Sequence, residues 1–394
     1  MELNDFDPKC QPKHRAGIFG TSRRIALLAV LICFSSSLFA QKDSIPFFTT
    51  LRMEVRAELN YQHQMSSYSN GDVAHWNDTY GFTGKYFNIH VGGNLGKHFS
   101  YYFRQRIVAN PGSVTFFDNT DFLYLDYHIN DQWSLRVGKE ALAVGGYEYD
   151  AAPIDVLFNS YYWDQFYCFQ LAFGATYKSK DGKNTLRLQV ANSPYLHYGS
   201  PFGQSSLLSY NFLWNGDFNH FHTLYSISMF QRDKVGHFMN YIALGNKLSY
   251  DKWCLYLDLM HHANSVRQLM KDFGVVCRAD YFVNDQFSLF AKGAYEQNKD
   301  AEEWNHYLQT GDLWDWLATP GQQYFYGGIG FELRPKKCPD VRIHGYLADF
   351  CTENDWQDQT AKSKNTGITS ISHNLMVNAG ISWNINFLKY LRNK

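Results

Sequence analysis

Apolar and polar positions alternate from residue 51 to residue 61. Leu51, Met53, Val55, Ala57, Leu59 and Tyr61 fall on one side, and Arg52, Glu54, Arg56, Glu58 and Asn60 on the other. A period of two belongs to a β-strand, whose successive side chains point to opposite faces. The period recurs down the chain. Phe87, Ile89 and Val91 alternate with Asn88 and His90, and Leu123, Leu125, Tyr127 and Ile129 with Tyr124, Asp126 and His128. Trp133, Leu135 and Val137 alternate with Ser134, Arg136 and Gly138, and Leu186, Leu188 and Val190 with Arg187 and Gln189. The pattern predicts sixteen strands, near 51–61, 82–95, 99–109, 120–129, 133–140, 164–178, 184–192, 205–214, 220–231, 237–250, 252–262, 271–282, 286–296, 322–334, 340–351 and 373–388. No apolar stretch after residue 40 is long enough for a transmembrane helix, which needs about 20 residues.

The predicted connections alternate in length. Short ones carry turn chemistry: Gly96-Lys97-His98, Asn130-Asp131-Gln132, Asp181-Gly182-Lys183-Asn184, Asn215-Gly216-Asp217, Asp251-Lys252 and Asn284-Asp285-Gln286. Gly, Asn and Asp supply the positive φ or the side-chain acceptor that such turns require. Long ones fall near 62–81, 110–119, 141–163, 193–204, 263–270, 297–321 and 352–372. Short turns on one rim and long loops on the other predict an all-β fold, a transmembrane antiparallel β-barrel of about 16 strands. Its apolar face meets lipid and its polar face a wet interior.

Arg23 and Arg24 precede the apolar run Ile25 to Phe34, followed by Ser35-Ser36-Ser37-Leu38-Phe39-Ala40. This order of charged, apolar and small residues predicts a secretory signal over residues 1–40, cleaved after Ala40. Residues 41–394 are then one barrel domain, and the expected location is the outer membrane of a Gram-negative bacterium. An uncleaved anchor is the rival reading, disfavoured because the apolar run is too short to span. Aromatic residues make up 18% of the chain, which suits girdles at two membrane–water interfaces. A Tyr-rich soluble sandwich would share that composition, so the alternation carries the argument. The net charge of −1 leaves no global basic field for nucleic acid. Cys168, Cys254, Cys277, Cys338 and Cys351 follow the signal, without a Cys-x-x-Cys pair. Spacing alone leaves open whether Cys338 and Cys351 pair.

One region is more specific. Asp121-Phe-Leu-Tyr-Leu-Asp-Tyr-His-Ile-Asn-Asp-Gln-Trp-Ser-Leu-Arg-Val-Gly-Lys-Glu-Ala-Leu-Ala-Val-Gly-Gly-Tyr-Glu148 resembles the phosphate-selective porin O and P family. In that family a strand ends in Tyr-hydrophobic-Asp-Tyr. A short turn leads to Leu-Arg-hydrophobic-Gly-Lys or Gln, and a small Gly- or Pro-containing turn follows. Gly93 to Tyr101 is similar to the family's early hairpin, and the resemblance covers about residues 85–175. It implies a sixteen-stranded barrel, commonly a homotrimer, in contact with outer-membrane lipid. Such a barrel passes small hydrophilic solutes or anions through a lumen narrowed by a long loop folded inward. Selective members line the constriction with lysines and run arginines along the lumen. Here the matching loop, 141–163, has no Lys or Arg; its constriction candidates are Tyr147, Glu148, Tyr149, Asp150 and Asp155, with Asp164 just beyond. An acidic constriction repels anions unless cations stand nearby, which weighs against phosphate specificity. The C-terminal alternation from Leu375 to Phe387 resembles the assembly segment of outer-membrane barrels, although seven residues follow Phe387.

The predicted inward faces carry Arg52, Arg56, Arg104, Arg106, Arg136, Arg187, Arg278, Lys292 and Arg342 as pore-lining candidates. Lys139 stands at the start of the loop with ambiguous parity. Two readings compete: a positive wall guiding anions, or salt bridging in which Glu54, Glu58, Asp126 and Asp280 neutralise their neighbours. The two stand about even, and Arg104 and Arg106, two cations on one strand face, are the leading candidates for the first. Tyr147, Tyr149, Tyr161, Tyr162 and Trp163 either stack on solutes or pack the loop against the wall, the second being the commoner use.

No nucleophile elbow and no phosphate-binding glycine loop occurs. His261 and His262 are adjacent on a strand and point apart, His220 and His222 lack a third ligand, and nothing orients His373 toward Ser370 or Ser372. The expectation is therefore a porin for passive diffusion, with an anion preference and no catalysis, cofactor, metal or nucleic-acid partner. A barrel plugged by its own loops, serving binding or structure, is the main alternative, and an outer-membrane hydrolase the third.

Overall fold

The computed structural model describes residues 46–68, 73–107, 117–160, 162–163, 167–196, 207–233, 236–263, 269–299, 322–354 and 370–392. The predicted signal, Tyr161, Asp164 and most of the loops near 297–321 and 352–372 lie outside the described residues.

Sixteen strands follow in chain order. The first eight are β1 (Thr50–Tyr68), β2 (Val73–Leu95), β3 (Phe99–Arg106), β4 (Thr120–His128), β5 (Trp133–Ala141), β6 (Phe169–Lys178), β7 (Asn184–Asn192) and β8 (Leu208–Phe218). The second eight are β9 (Phe221–Gln231), β10 (Phe238–Tyr250), β11 (Trp253–Ala263), β12 (Asp272–Phe282), β13 (Phe287–Asn298), β14 (Gln322–Leu333), β15 (Val341–Asn354) and β16 (Ser370–Asn386). Each pairs antiparallel with its chain neighbours. β1 also pairs with β16, from Arg52↔Asn386 to Tyr68↔Ser370, so the sheet closes into a barrel with no free edge strand. Short helices lie outside the sheet, among them α1 (Tyr147–Asp150) between β5 and β6, a 3-10 turn at Pro194–Leu196 and α2 (Phe387–Arg392) after β16.

The two faces separate as the alternation requires. Leu59, Val137, Phe173, Leu188, Ile227, Leu257, Ile329, Leu347 and Trp383 are exposed on the outer surface. Glu54, Arg56, Glu58, His90, Arg104, Gln189, Asp258, Lys292, Glu296, Arg342 and His344 are buried on the other face. Aromatic pairs ring the outer surface at the short-turn end: Phe99 with Tyr127, Trp133 with Tyr177 and Trp253 with Tyr281, with ring centroids 5.0, 4.9 and 4.6 Å apart. Such rings have an apolar body for lipid and a polar edge for water.

The turns repeat a local solution. Asn130 Oδ1 accepts the amides of Gln132 and Trp133, each at 2.9 Å. Asn284 Oδ1 does the same for Gln286 and Phe287, at 2.9 and 3.0 Å. The Asn-Asp-Gln-aromatic sequence is thus a turn module, a side chain standing in for backbone.

Three expectations change. Residues 62–81 are mostly strand rather than loop, because β1 and β2 run on to Tyr68 and from Val73. Their polar side chains there conceal an extended ladder, since backbone pairing does not need an apolar face. The predicted turn at 215–217 lies within β8. Asn219 supplies the bend instead, with φ of 66° and its amide bonded to Asp217 Oδ1 at 3.2 Å. Cys338 and Cys351, whose spacing allows a pair, are unpaired, as are Cys168, Cys254 and Cys277.

A charge near the middle of the outer surface has no water to reach. Leu257→Arg, near the centre of β11, is expected to destabilise the barrel by roughly 2–4 kcal/mol, read as a lower urea midpoint for unfolding from lipid vesicles.

Candidate functional site

Residues 142–163, between β5 and β6, contain little regular structure. Their backbone groups find partners on the polar face of the sheet instead. The carboxylate of Asp258 on β11 accepts the amides of Tyr147 and Glu148, both at 2.8 Å. The carboxylate of Glu296 on β13 accepts the amide of Tyr162 at 3.3 and 3.4 Å. Gln189 on β7 and Ser226 on β9 accept the amides of Ala143 and Gly145, each at 2.8 Å. Carbonyls are held in the same way by cations. Arg56 donates to the carbonyls of Val156 and Leu157 at 2.5 and 3.0 Å, and Arg342 to that of Ile154 at 2.5 Å. Lys292 bridges the Glu148 carboxylate and the Phe158 carbonyl. Bonds to ionised groups are worth about 1.5–3 kcal/mol each.

Packing reinforces these bonds. Leu142, Val144, Leu157, Phe158 and Tyr162 form one apolar cluster with Phe230, Met239, Tyr241, Met260, Val276, Phe290, Tyr326 and Tyr346 of β9–β15. Gly145 allows the closest approach. A Cβ there would lie 2.4 Å from the Leu224 carbonyl of β9. Gly146 follows with φ of 100°, a value costly for any side-chain-bearing residue.

The sequence-derived cations divide into two groups. Arg56, Lys292 and Arg342 hold residues 153–158, and their side chains are 1%, 3% and 9% exposed. Arg106, Arg52, Arg136 and Arg187 are more open, at 44%, 35%, 27% and 18%. Arg278 lies between at 15%, and Arg104 is as buried as the first group at 6%. The four carboxylates named as neutralisers each have an arginine partner: Glu54 with Arg52, Glu58 with Arg56, Asp126 with Arg136 and Asp280 with Arg278. Arg136 and Arg187 also share Glu140.

Arg104 and Arg106 converge on Asp121, whose two oxygens receive their terminal nitrogens at 2.9 Å each. The pairing of β3 with β4 shifts register between Arg104 and Gln105. This bulge brings Asp121 onto the face of Phe122 and Asp126 rather than alternating with them. Lys139 pairs in register with Leu123 and Leu171, whose exposed side chains mark the outer face. The ammonium nevertheless reaches the Phe117 carbonyl at 2.6 Å. The register of Lys139 is that of the outer face, yet its side chain is buried and lines the same cavity as Arg104 and Arg106.

The loop acids separate likewise. Glu148 is buried against Lys292, and Asp155 lies 2.6 Å from Arg342. Tyr147 stands beneath Lys247, 5.4 Å from ring centre to nitrogen, and Tyr149 donates its hydroxyl hydrogen to the Leu142 carbonyl at 3.3 Å. Tyr149 and Asp150 line a cavity of about 710 Å³ whose other wall comes from β1–β7, including Arg52, Arg104, Arg106 and Arg187. A second cavity of about 460 Å³ is lined by Asp155, Arg278, Asp280, Glu332, Arg334 and Arg342, and shares Ala151 with the first. No three-residue cluster suited to a metal occurs among the described residues.

The family model for phosphate-selective porin O and P matches residues 55–318. The chain belongs to this family. It is an outer-membrane channel protein, and its closed sixteen-strand sheet is the porin barrel. Among solved structures it is similar to the outer membrane channel DcaP of Acinetobacter baumannii, at 12% identity and a TM-score of 0.57, over 84% of this chain and 96% of that one. The anion-selective porin from Comamonas acidovorans aligns at 12% identity and a TM-score of 0.53, over 85% of this chain and 99% of that one. OmpT of Vibrio cholerae aligns at 10% identity and a TM-score of 0.50, over 85% and 97%. At these identities the likeness is one of fold. Comparison with curated proteins yields no match.

Asp121, Asp258 and Glu296 were missed as site residues. Each occupies a polar position on a legible strand. What sequence cannot show is that their partners stand 17, 110 and 134 residues away.

Removing one member of a buried pair strands the other. Lys292→Met is expected to cost about 3–5 kcal/mol and to make residues 147–163 accessible to protease in the folded barrel. Adding Glu148→Gln should recover part of the stability, measured by urea titration of both variants.

Proposed function

We propose that this porin conducts small hydrophilic solutes with a preference for anions, and that residues 142–163 fold into the lumen as its constriction. On this reading the passage is the space between that segment and β1–β7. Solutes cross by diffusion, without a catalytic step. The supporting observation is the lining of the larger cavity. It presents five cationic side chains, Arg52, Arg104, Arg106, Lys139 and Arg187, and three carboxylates, Asp118, Asp121 and Asp150.

The acidic character of the loop counts for less than its composition suggests. Glu148 and Asp155 are turned to Lys292 and Arg342, so Asp150 is the loop carboxylate left beside the arginine wall. A low-dielectric wall focuses the field of its fixed charges into a water-filled gap. The anion-selective porin of Comamonas acidovorans, which shares the fold, fits the same direction. Phosphate specificity in particular has no matching lysine cluster in the loop. The cavity of about 710 Å³ beside the loop favours a conducting channel over a plugged barrel. The homotrimer enters this proposal on family resemblance alone.

Planar-bilayer recording tests the reading. The wild-type protein should show discrete conductance steps and a reversal potential displaced toward that of chloride in a potassium chloride gradient. Arg52→Gln with Arg106→Gln should lower the chloride-to-potassium permeability ratio, by about tenfold per charge, since an unscreened charge at ~6 Å in water shifts each ion by about threefold in opposite directions. A ratio unmoved by the double change would remove these two residues from the pore lining.

A further inference from the structure

We infer that the larger cavity holds a subsite for arene carboxylates, planar organic anions with a ring beside the charge. The inference rests on the anion-channel reading and goes beyond it, because net charge alone would not distinguish one monoanion from another. Its basis is the way the guanidinium groups are mounted. Arg104 stands 4.4 Å from the ring centre of Phe122 and 5.1 Å from that of Phe169, and Arg106 stands 5.6 Å from Phe169. Phe122 and Phe169 meet edge to face at 5.2 Å. Arg104 thus stands over both rings of an edge-to-face aromatic pair, and Arg106 stands over Phe169.

The array ends in the cavity. Arg106 keeps 44% of its side chain exposed, although both Asp121 oxygens are engaged by the two arginines. One carboxylate against two guanidiniums leaves a positive charge unmatched within the trio. Tyr167 is 45% exposed and lines the same cavity, as do Trp163 and Arg52. A bound arene would extend this cluster of rings and cations against Arg106 or Tyr167, while its carboxylate meets the guanidinium edge of Arg106 or Arg52. Stacking on a guanidinium adds to the charge attraction because the π-face is negative. At about 710 Å³ the space is within the usual range of small-molecule sites. A sphere-like inorganic anion would use the charge and leave the rings unused.

The test compares two blockers of equal charge and similar size. Benzoate and cyclohexanecarboxylate are titrated against chloride current through single wild-type channels, whose reversal potential is recorded first. Hydrophobic transfer alone favours the saturated ring, so preference for benzoate isolates the π contribution. The expected result is half-block by benzoate at a roughly 3- to 10-fold lower concentration. Arg106→Lys, which keeps the charge and removes the flat guanidinium, should narrow that ratio toward one. Anion-selective channels blocked equally by both acids would overturn the subsite and leave the channel reading intact. A preference for benzoate that persists undiminished in Arg106→Lys would overturn the assignment to this array. Channels without anion preference would overturn the parent reading, and the subsite with it.

Discussion

Hydrocarbon offers no partner to a backbone amide or carbonyl, and that prohibition governs this architecture. Every strand must find neighbours on both sides. The decisive contact is therefore the one furthest apart in the chain, the ladder between β1 and β16 from Arg52↔Asn386 to Tyr68↔Ser370. Once it forms, alternation acquires meaning: the apolar set is committed to lipid and the polar set to the inside. A slip of one residue in any ladder would exchange the two. The side-chain ion pairs on the inner face presuppose that register.

Charge on the inner face serves two separate purposes. One set of cations secures carbonyls and acids within residues 148–158, against a sheet wall that also supplies Asp258 and Glu296 as acceptors. The other set, Arg52, Arg106, Arg136 and Arg187, retains contact with solvent. Salt bridging and an open positive surface, which look like rivals in the sequence, coexist because each of these arginines meets a carboxylate while part of its side chain stays exposed. Arg104 shows the overlap: it shares Asp121 with Arg106 while standing over the rings of Phe122 and Phe169.

The strands were largely legible, since a period of two survives whatever the tertiary contacts do, and all sixteen lie where the alternation puts them. Their ends were less so. Residues 62–68 and 73–81 look like loop because Gln62, Gln64, Ser66 and Ser67 carry no apolar signal, yet they are paired in the ladder. The turn at Asn219 was hidden by the stronger Asn-Gly-Asp signal just before it. Cations on the inner face were legible as a set. Their division into holders and open residues was not, because exposure depends on which wall residues 142–163 lie against. Lys139 shows the limit of parity. Gly138, at φ of 135°, precedes it, and a long flexible stem carries the ammonium back to Phe117.

The five cysteines among the described residues are all free, which has a bearing on assembly. The described strands are joined by ladders, ion pairs and packing, with no disulfide from one to another. The kinetic steps that remain are insertion and zipping of the wall, both governed by lipid rather than by covalent proofreading.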